Sequence, residues 1–152
     1  MSDKQQQSEL ARNRRKSREL ALRTLYAYEV DSSDKWEQML EDIAENDQLS
    51  SKVKKYASKL LSFTIENLES IDVIISGKAA NWELRRMAAV DRNVLRLASA
   101  ELIYLKETVP YKVVIDQAVE IAKIYGTDDS GKFVNGIMDS IRKDVYSGST
   151  LK

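Results

Sequence analysis

The sequence predicts an all-α bundle, and three observations carry that expectation. Apolar residues recur at spacings of three and four along most of the chain, the rhythm of a helix with one buried stripe. No stretch alternates apolar and polar residues with the period of two that a half-buried strand shows. Five glycines and one proline in 152 residues supply little of the turn chemistry that many short strands require.

Residues 1–9 carry no apolar periodicity and are expected to form a disordered tail ahead of a single domain over residues 10–148. From Leu10 a helical pattern begins, polar at first and then apolar at Leu22, Leu25, Tyr26 and Val30. Asp31-Ser32-Ser33-Asp34 interrupts it and offers a cap for a short helix through about Asn46, with Trp36, Met39, Leu40 and Ile43 facing inward. Ser50 or Ser51 starts a long third helix. Its apolar positions are Val53, Tyr56, Ala57, Leu60, Leu61, Ile65, Leu68 and Ile75, and Gly77 is placed to cap its end. A helical turn over residues 82–87 leads to Asp91, an N-cap or first-turn acid for a helix burying Val94, Leu95, Ala98, Leu102 and Leu105. Trp36 and Trp82 are expected to anchor the core.

Thr108-Val109-Pro110 is the clearest boundary, because proline lacks only an N–H that a first helical turn leaves unpaired anyway. The helix over 110–125 is expected to bury Val113, Val114, Ala118, Ile121 and Ala122 and to end at Gly126 in a left-handed cap. Thr127-Asp128-Asp129 opens the last helix, with Phe133, Val134, Ile137, Met138, Ile141 and Val145 on its apolar side. Gly136 lies within that helix, where glycine costs about 1 kcal/mol relative to alanine, so close helix–helix contact is the expected reason for it.

Composition removes whole classes of function. With neither cysteine nor histidine, the usual zinc ligands and the commonest general base near neutral pH are missing. Glycine-rich phosphate loops are absent too, since neither GxGxxG nor GxxxxGK[ST] occurs. No catalytic residue, metal ligand or cofactor is assigned, and the chain is read as no enzyme. No window approaches the roughly 18 apolar residues of a membrane span, and the polar start lacks the apolar core of a secretory signal. A reducing cytoplasm is the expected location, consistent with the lack of cysteine.

The net charge is zero, yet the charges are sorted. Residues 12–18 read Arg-Asn-Arg-Arg-Lys-Ser-Arg, five cations in seven positions, whereas residues 29–47 hold eight carboxylates against one lysine. Cations at a helix N-terminus oppose the macrodipole, so this arrangement costs local stability and is better explained by a polyanionic ligand. Guanidinium forks suit bidentate contact with phosphate. A second candidate spans Ile124 to Gly136, where Tyr125 and Phe133 flank a helix start that also carries Asp129 and Lys132. Exposed rings there give stacking faces for bases, and a helix N-terminus offers N–H groups. Tyr125 and Phe133 both in the core and Asp129 as a simple N-cap is the competing reading. The acidic stretch receives no role.

These residues carry a resemblance. The run Arg14 to Ala21 followed by Leu25-Tyr26, the segment NWELRRMAAVDRNVLR and, most specifically, VPYKVVIDQAVEIAKIYGTDDSGKFVNGIMD over 109–139 are similar to the NusB family of transcription antitermination proteins. The likeness spans about residues 11–145. It implies two packed three-helix halves, about 10–79 and 80–148, without catalysis. It also implies pairing with the small ribosomal protein NusE and binding of single-stranded boxA RNA in ribosomal RNA leaders, in the context of transcribing RNA polymerase. By position, Arg14, Arg15, Lys16 and Arg18 match the arginine-rich RNA-binding segment, and Tyr125, Asp129, Lys132 and Phe133 match a second RNA-contacting region. Tyr125 stands where the family is expected to carry phenylalanine, and it keeps a stacking face. Tyr26 and Asp91 match positions of protein-partner contact. Two other readings compete: a helical protein-interaction module without specific RNA binding, and the front of an RNA cytosine methyltransferase, which would need a large cofactor-binding domain downstream.

Overall fold

The first helix begins well ahead of the apolar stripe that reveals it. In the computed structural model, which describes residues 2–33, 35–79 and 83–147, α1 runs Asp3–Val30. The Gln5 N–H donates to the Ser2 hydroxyl at 3.2 Å, and the Ser2 N–H donates to the Gln5 side chain at 2.9 Å, a reciprocal cap. Residues 3–9, expected as a disordered tail, are therefore exposed turns of helix. Their order comes from capping, which leaves no apolar period to read.

Met1–Ser62 forms one compact unit, built from α1, α2 (Trp36–Asn46) and the start of α3 (Ser51–Glu66). Leu20, Ala21, Leu25, Leu40, Ala44, Val53, Leu60 and Leu61 fill its core. The buried arc of α1 starts at Ser17 and Arg18, earlier than the apolar pattern suggests. Tyr26 and Val30, read as core, are 52% and 70% exposed. At about 100° per residue they fall past the edge of the arc that Ser17 to Leu25 define. Trp36, Met39 and Ile43 are only half-buried, so Trp36 flanks the core and does not anchor it.

The helix expected to run unbroken from 51 to 77 is two helices, α3 and α4 (Leu68–Lys78). The Asn67 side-chain amide donates to the Phe63 carbonyl oxygen at 2.8 Å, the acceptor that its own backbone N–H also uses. An asparagine that competes for the backbone in this way favours leaving the helix, and Asn67 does so at φ −116°, ψ 20°. Gly77 lies inside α4, which ends at Lys78 with Ala79 in the capping position.

Phe63–Lys152 is the second unit. It contains α4, a 3₁₀ turn (Leu84–Arg86), α5 (Ala89–Tyr104), α6 (Tyr111–Tyr125) and α7 (Asp128–Tyr146). The boundary between units falls at 62/63 and not near 79/80, because α4 packs on α5 and α7. Arg96 of α5 grips Asp72 of α4 with two hydrogen bonds of 2.8 and 2.9 Å, a bidentate pair. Val94, Leu95, Ala98, Leu102 and Leu105 are buried as expected, as are Val114, Ala118, Ile121, Ala122, Val134, Ile137, Met138 and Ile141. Val113 is 43% exposed instead. Asp91 sits in the first turn of α5, behind Ala88 in the capping position. Pro110 caps α6 and its first helical residue is Tyr111.

Gly126 ends α6 at φ −119°, which is not left-handed. Glycine is needed there for space: a Cβ would meet the Ser130 hydroxyl at 2.6 Å and the Ala122 carbonyl at 2.8 Å. Gly136 shows the opposite, with nothing within 4 Å of an added Cβ. The close helix contact expected there is absent. Trp82 lies outside the described residues. Among those described no strand occurs, and no helix is long and apolar enough to cross a membrane.

Candidate nucleic-acid interface

The basic run on α1 divides by burial. Arg12 and Lys16 are exposed, Arg14 and Arg15 are half-buried, and Arg18 is only 6% exposed. The cause is the docking of α1 on α3. The Ser17 hydroxyl lies 2.8 Å from the carbonyl oxygens of both Asn13 and Val53, so its proton ties the two helices together in the interior of the unit. Arg18, beside Ser17, goes in with it. At that burial Arg18 packs within the unit, unlike the cations beside it.

The remaining cations stay outside. The Arg14 guanidinium carbon lies 4.1 Å from the centroid of the Tyr56 ring, a cation–π contact that fixes its position. Arg15 pairs with Glu19 across one helical turn at 3.5 Å, a half-buried i,i+4 pair. The same docking brings Lys52, Lys55 and Lys59 of α3 to the side of Arg14, around a cleft of about 280 Å³. Sequence reading missed these lysines, because it took only the apolar positions of that helix. Their spacing of three and four was the available signal.

In the second unit the candidate residues share one turn. Tyr125 ends α6 and is 39% exposed. Thr127 caps α7: the Ser130 N–H donates to the Thr127 hydroxyl at 3.2 Å, and the Thr127 N–H donates to the Ser130 hydroxyl at 3.2 Å. The cap is Thr127, which leaves the Asp129 carboxylate exposed in the first turn and free of that task. Part of the N–H supply expected for a ligand is taken by this box. Lys132 is exposed and Phe133 half-buried, between the core and solvent positions weighed for it. Gly131 is buried under the Lys123 side chain, which a Cβ would meet at 2.8 Å. This packing holds the start of α7 against the end of α6.

The two residues matched to partner contact differ in setting. Tyr26 and Val30 present an exposed apolar pair one turn apart at the end of α1. Asp91 is half-buried, and one of its carboxylate oxygens is enclosed without a hydrogen-bond partner among the described residues. A group of three or more residues suited to hold a metal ion does not occur among the described residues.

Comparison with known proteins gives a consistent result. The model of the NusB family matches residues 15–143. The transcription antitermination protein NusB of Chloroherpeton thalassium is 45% identical over 140 residues, covering 91% of this chain and 65% of that protein. This chain thus spans about two thirds of that relative's length. The NusB of Citrifermentans bemidjiense is 40% identical over 139 residues, 87% of this chain and 95% of its own. Among solved structures, T. maritima NusB superposes with a TM-score of 0.79 at 44% identity, covering 86% of this chain and 91% of that one. A chain from a crystal structure of antitermination factors NusB and NusE in complex with dsRNA gives a TM-score of 0.79 at 30% identity, over 87% and 97% of the two chains.

Proposed function

The chain belongs to the NusB family, and from that premise we propose that it is an RNA-binding transcription antitermination factor, acting in the cytoplasm without catalysis. Its RNA is proposed to be the single-stranded boxA element of ribosomal RNA leaders, bound together with a NusE-type ribosomal protein on transcribing RNA polymerase. The observation that carries the reading is the outward cation group of α1. Arg14, Arg15 and Lys16 project from a helix whose next residues, Ser17 and Arg18, are buried. The cations are thus held on a rigid support at the surface, Lys16 exposed and Arg14 and Arg15 half-buried.

In this reading Arg14, Arg15 and Lys16 contact phosphates and supply salt-sensitive affinity. Arg18 supports them from within. The Tyr125 ring, the Asp129 carboxylate and Lys132 engage unpaired bases, with Phe133 lending a partial stacking face. Tyr26 and Asp91 serve the protein partner: an exposed ring with an apolar neighbour suits a hot-spot contact, and Asp91 is half-buried in the first turn of α5. Partner surface added beside a neutral protein would raise an otherwise modest RNA affinity.

The test is binding of a short single-stranded boxA RNA across a salt series, with and without the NusE-type protein, beside a scrambled strand and a duplex of the same sequence. Three phosphate contacts give a log–log slope contribution of about −2, at roughly 0.7 per contact on a single strand. Replacing Arg14, Arg15 and Lys16 with alanine should remove that contribution while the protein stays folded. Unchanged binding would defeat the assignment. The exposed pair Tyr26 and Val30 favours a second reading, a protein-docking module, which the same experiment recognises by weak RNA binding indifferent to sequence.

A further inference from the structure

The cleft between α1 and α3 gathers more positive charge than the arginine run alone contains. Its lining includes Asn13 and Arg14 from one helix and Lys52, Lys55, Tyr56 and Lys59 from the other, and no carboxylate lines it. The three lysines are exposed. They lie at i, i+3 and i+7, so they share one face of α3. On its other side Lys55 borders a pocket that Glu37 and Glu41 also line, where Glu41 pairs with Lys54; Asp47 pairs with Arg23 and Glu19 with Arg15. Like charges at these spacings destabilise a helix, and none of the three lysines has an ion-pair partner among the described residues to relieve that cost.

We propose that this cleft is a phosphate-binding track for single-stranded RNA, in which Lys52, Lys55 and Lys59 form the second wall of the site begun by Arg14. The inference rests on the RNA-binding reading above and extends it to a helix that the reading did not include. The geometry favours a strand lying along the cleft over a small molecule enclosed in it. At about 280 Å³ the volume is at the lower limit of pockets that bury a compact ligand, which run from about 300 to 1,000 Å³. Lys52 to Lys59 covers seven residues, about 10 Å of helix at 1.5 Å each. That length lets a strand lying along the cleft present more than one phosphate to the lysines.

The walls are also fixed in place. Ser17 bonds to the Val53 carbonyl at 2.8 Å, next in sequence to Lys52. Tyr56, one residue after Lys55, carries the Arg14 guanidinium on its ring. Arginine and lysines are therefore held in register by contacts inside the unit. A guanidinium resting on a ring keeps its in-plane N–H donors for an anion.

The experiment compares the full-length protein with K52Q/K55Q/K59Q, using a labelled single-stranded boxA RNA and an oligouridylate of equal length over a salt series. The triple variant should bind both strands about tenfold or more weakly at about 50 mM salt, with a log–log slope shallower by about 2, from roughly 0.7 per lost contact. K52R/K55R/K59R should restore the slope at the wild-type unfolding temperature, and the glutamine variant, relieved of like-charge repulsion, should unfold no lower than the wild type. A wild-type slope retained by the glutamine variant overturns the track and leaves the α1 reading standing. Weaker binding at an unchanged slope also overturns it, because the lysines then neutralise no phosphate. So does loss of binding to the NusE-type protein with RNA binding intact, which would assign the cleft to an acidic protein segment. If the wild-type protein shows no salt-dependent RNA binding, this inference and the reading beneath it fall together.

Discussion

The Arg14 guanidinium carbon lies 4.1 Å from the centre of the Tyr56 ring. One residue was read from the sequence as a phosphate ligand and the other as core, and the contact makes each part of the other's role. Tyr56 packs from below at 9% exposure while its ring face carries a charge that faces the cleft. Replacing Tyr56 with leucine should cost about 1 to 3 kcal/mol of stability, from the lost ring packing and the cation–π contact. It should also weaken RNA binding a few-fold by releasing Arg14. Urea unfolding and RNA titration of the same variant check the two effects, and full RNA affinity in Y56L would show that Arg14 needs no such support.

Arg18 should separate from its neighbours in the same helix. At 6% exposure its truncation strips buried packing. R18A is expected to lose about 2 to 4 kcal/mol of unfolding free energy, near the range for breaking a buried charged contact. The salt slope of RNA binding, measured where the variant remains folded, should stay as in the wild type. A shallower slope with wild-type stability would return Arg18 to the RNA-binding group.

Two glycines of one segment should respond in opposite directions. G126A forces a Cβ against the Ser130 hydroxyl and the Ala122 carbonyl, so the box that starts α7 must shift, at a cost of about 1 to 3 kcal/mol. G136A enters open space on a helix and should stabilise by up to about 1 kcal/mol. Thermal unfolding of both variants decides the matter. Destabilisation by G136A would mean that residue 136 meets something the isolated chain does not contain.

Acid sensitivity should trace in part to Asp139. A hydrogen bond from Arg142, at 2.7 Å, holds its carboxyl below the ordinary 3.8, outweighing the desolvation that opposes it. A depressed folded value means that the contribution is fully present above the unfolded value and fades as pH falls through the lower folded one. The gap in urea midpoint between wild type and D139N should thus persist from neutral pH to about pH 4 and close below it. A gap that stays constant down to about pH 2.5 would contradict this origin.

Much of the fold was legible from period alone. The stripe of α5, Val94 to Leu105, and Val134, Ile137, Met138 and Ile141 of α7 are buried where the three–four rhythm placed them, because a helix with one apolar face has only one way to hide it, while Phe133 and Val145 are half-buried. Capping chemistry was harder to see. Ser2 and Gln5 start α1 through polar contacts with no hydrophobic signal, and Asn67 breaks a helix whose apolar rhythm continues through it. Gly126 was placed correctly for the wrong conformational reason, since its space is set by Ser130 in the next helix.

The candidate site divides in the same way. Residue type and spacing were enough to mark the arginine run, the ring-flanked start of α7 and the family that both resemble. Which cations face water was not in the sequence, because Arg14 and Arg18 are one turn apart and equivalent as symbols. The docking of α1 on α3 through Ser17 and Val53 decided that Arg18 goes inside and that Lys52, Lys55 and Lys59 stand beside Arg14. Periodicity along a chain fixes which face of a helix is buried; only contact between helices distant in sequence fixes which charges meet, since Coulomb attraction and desolvation depend on distance in space.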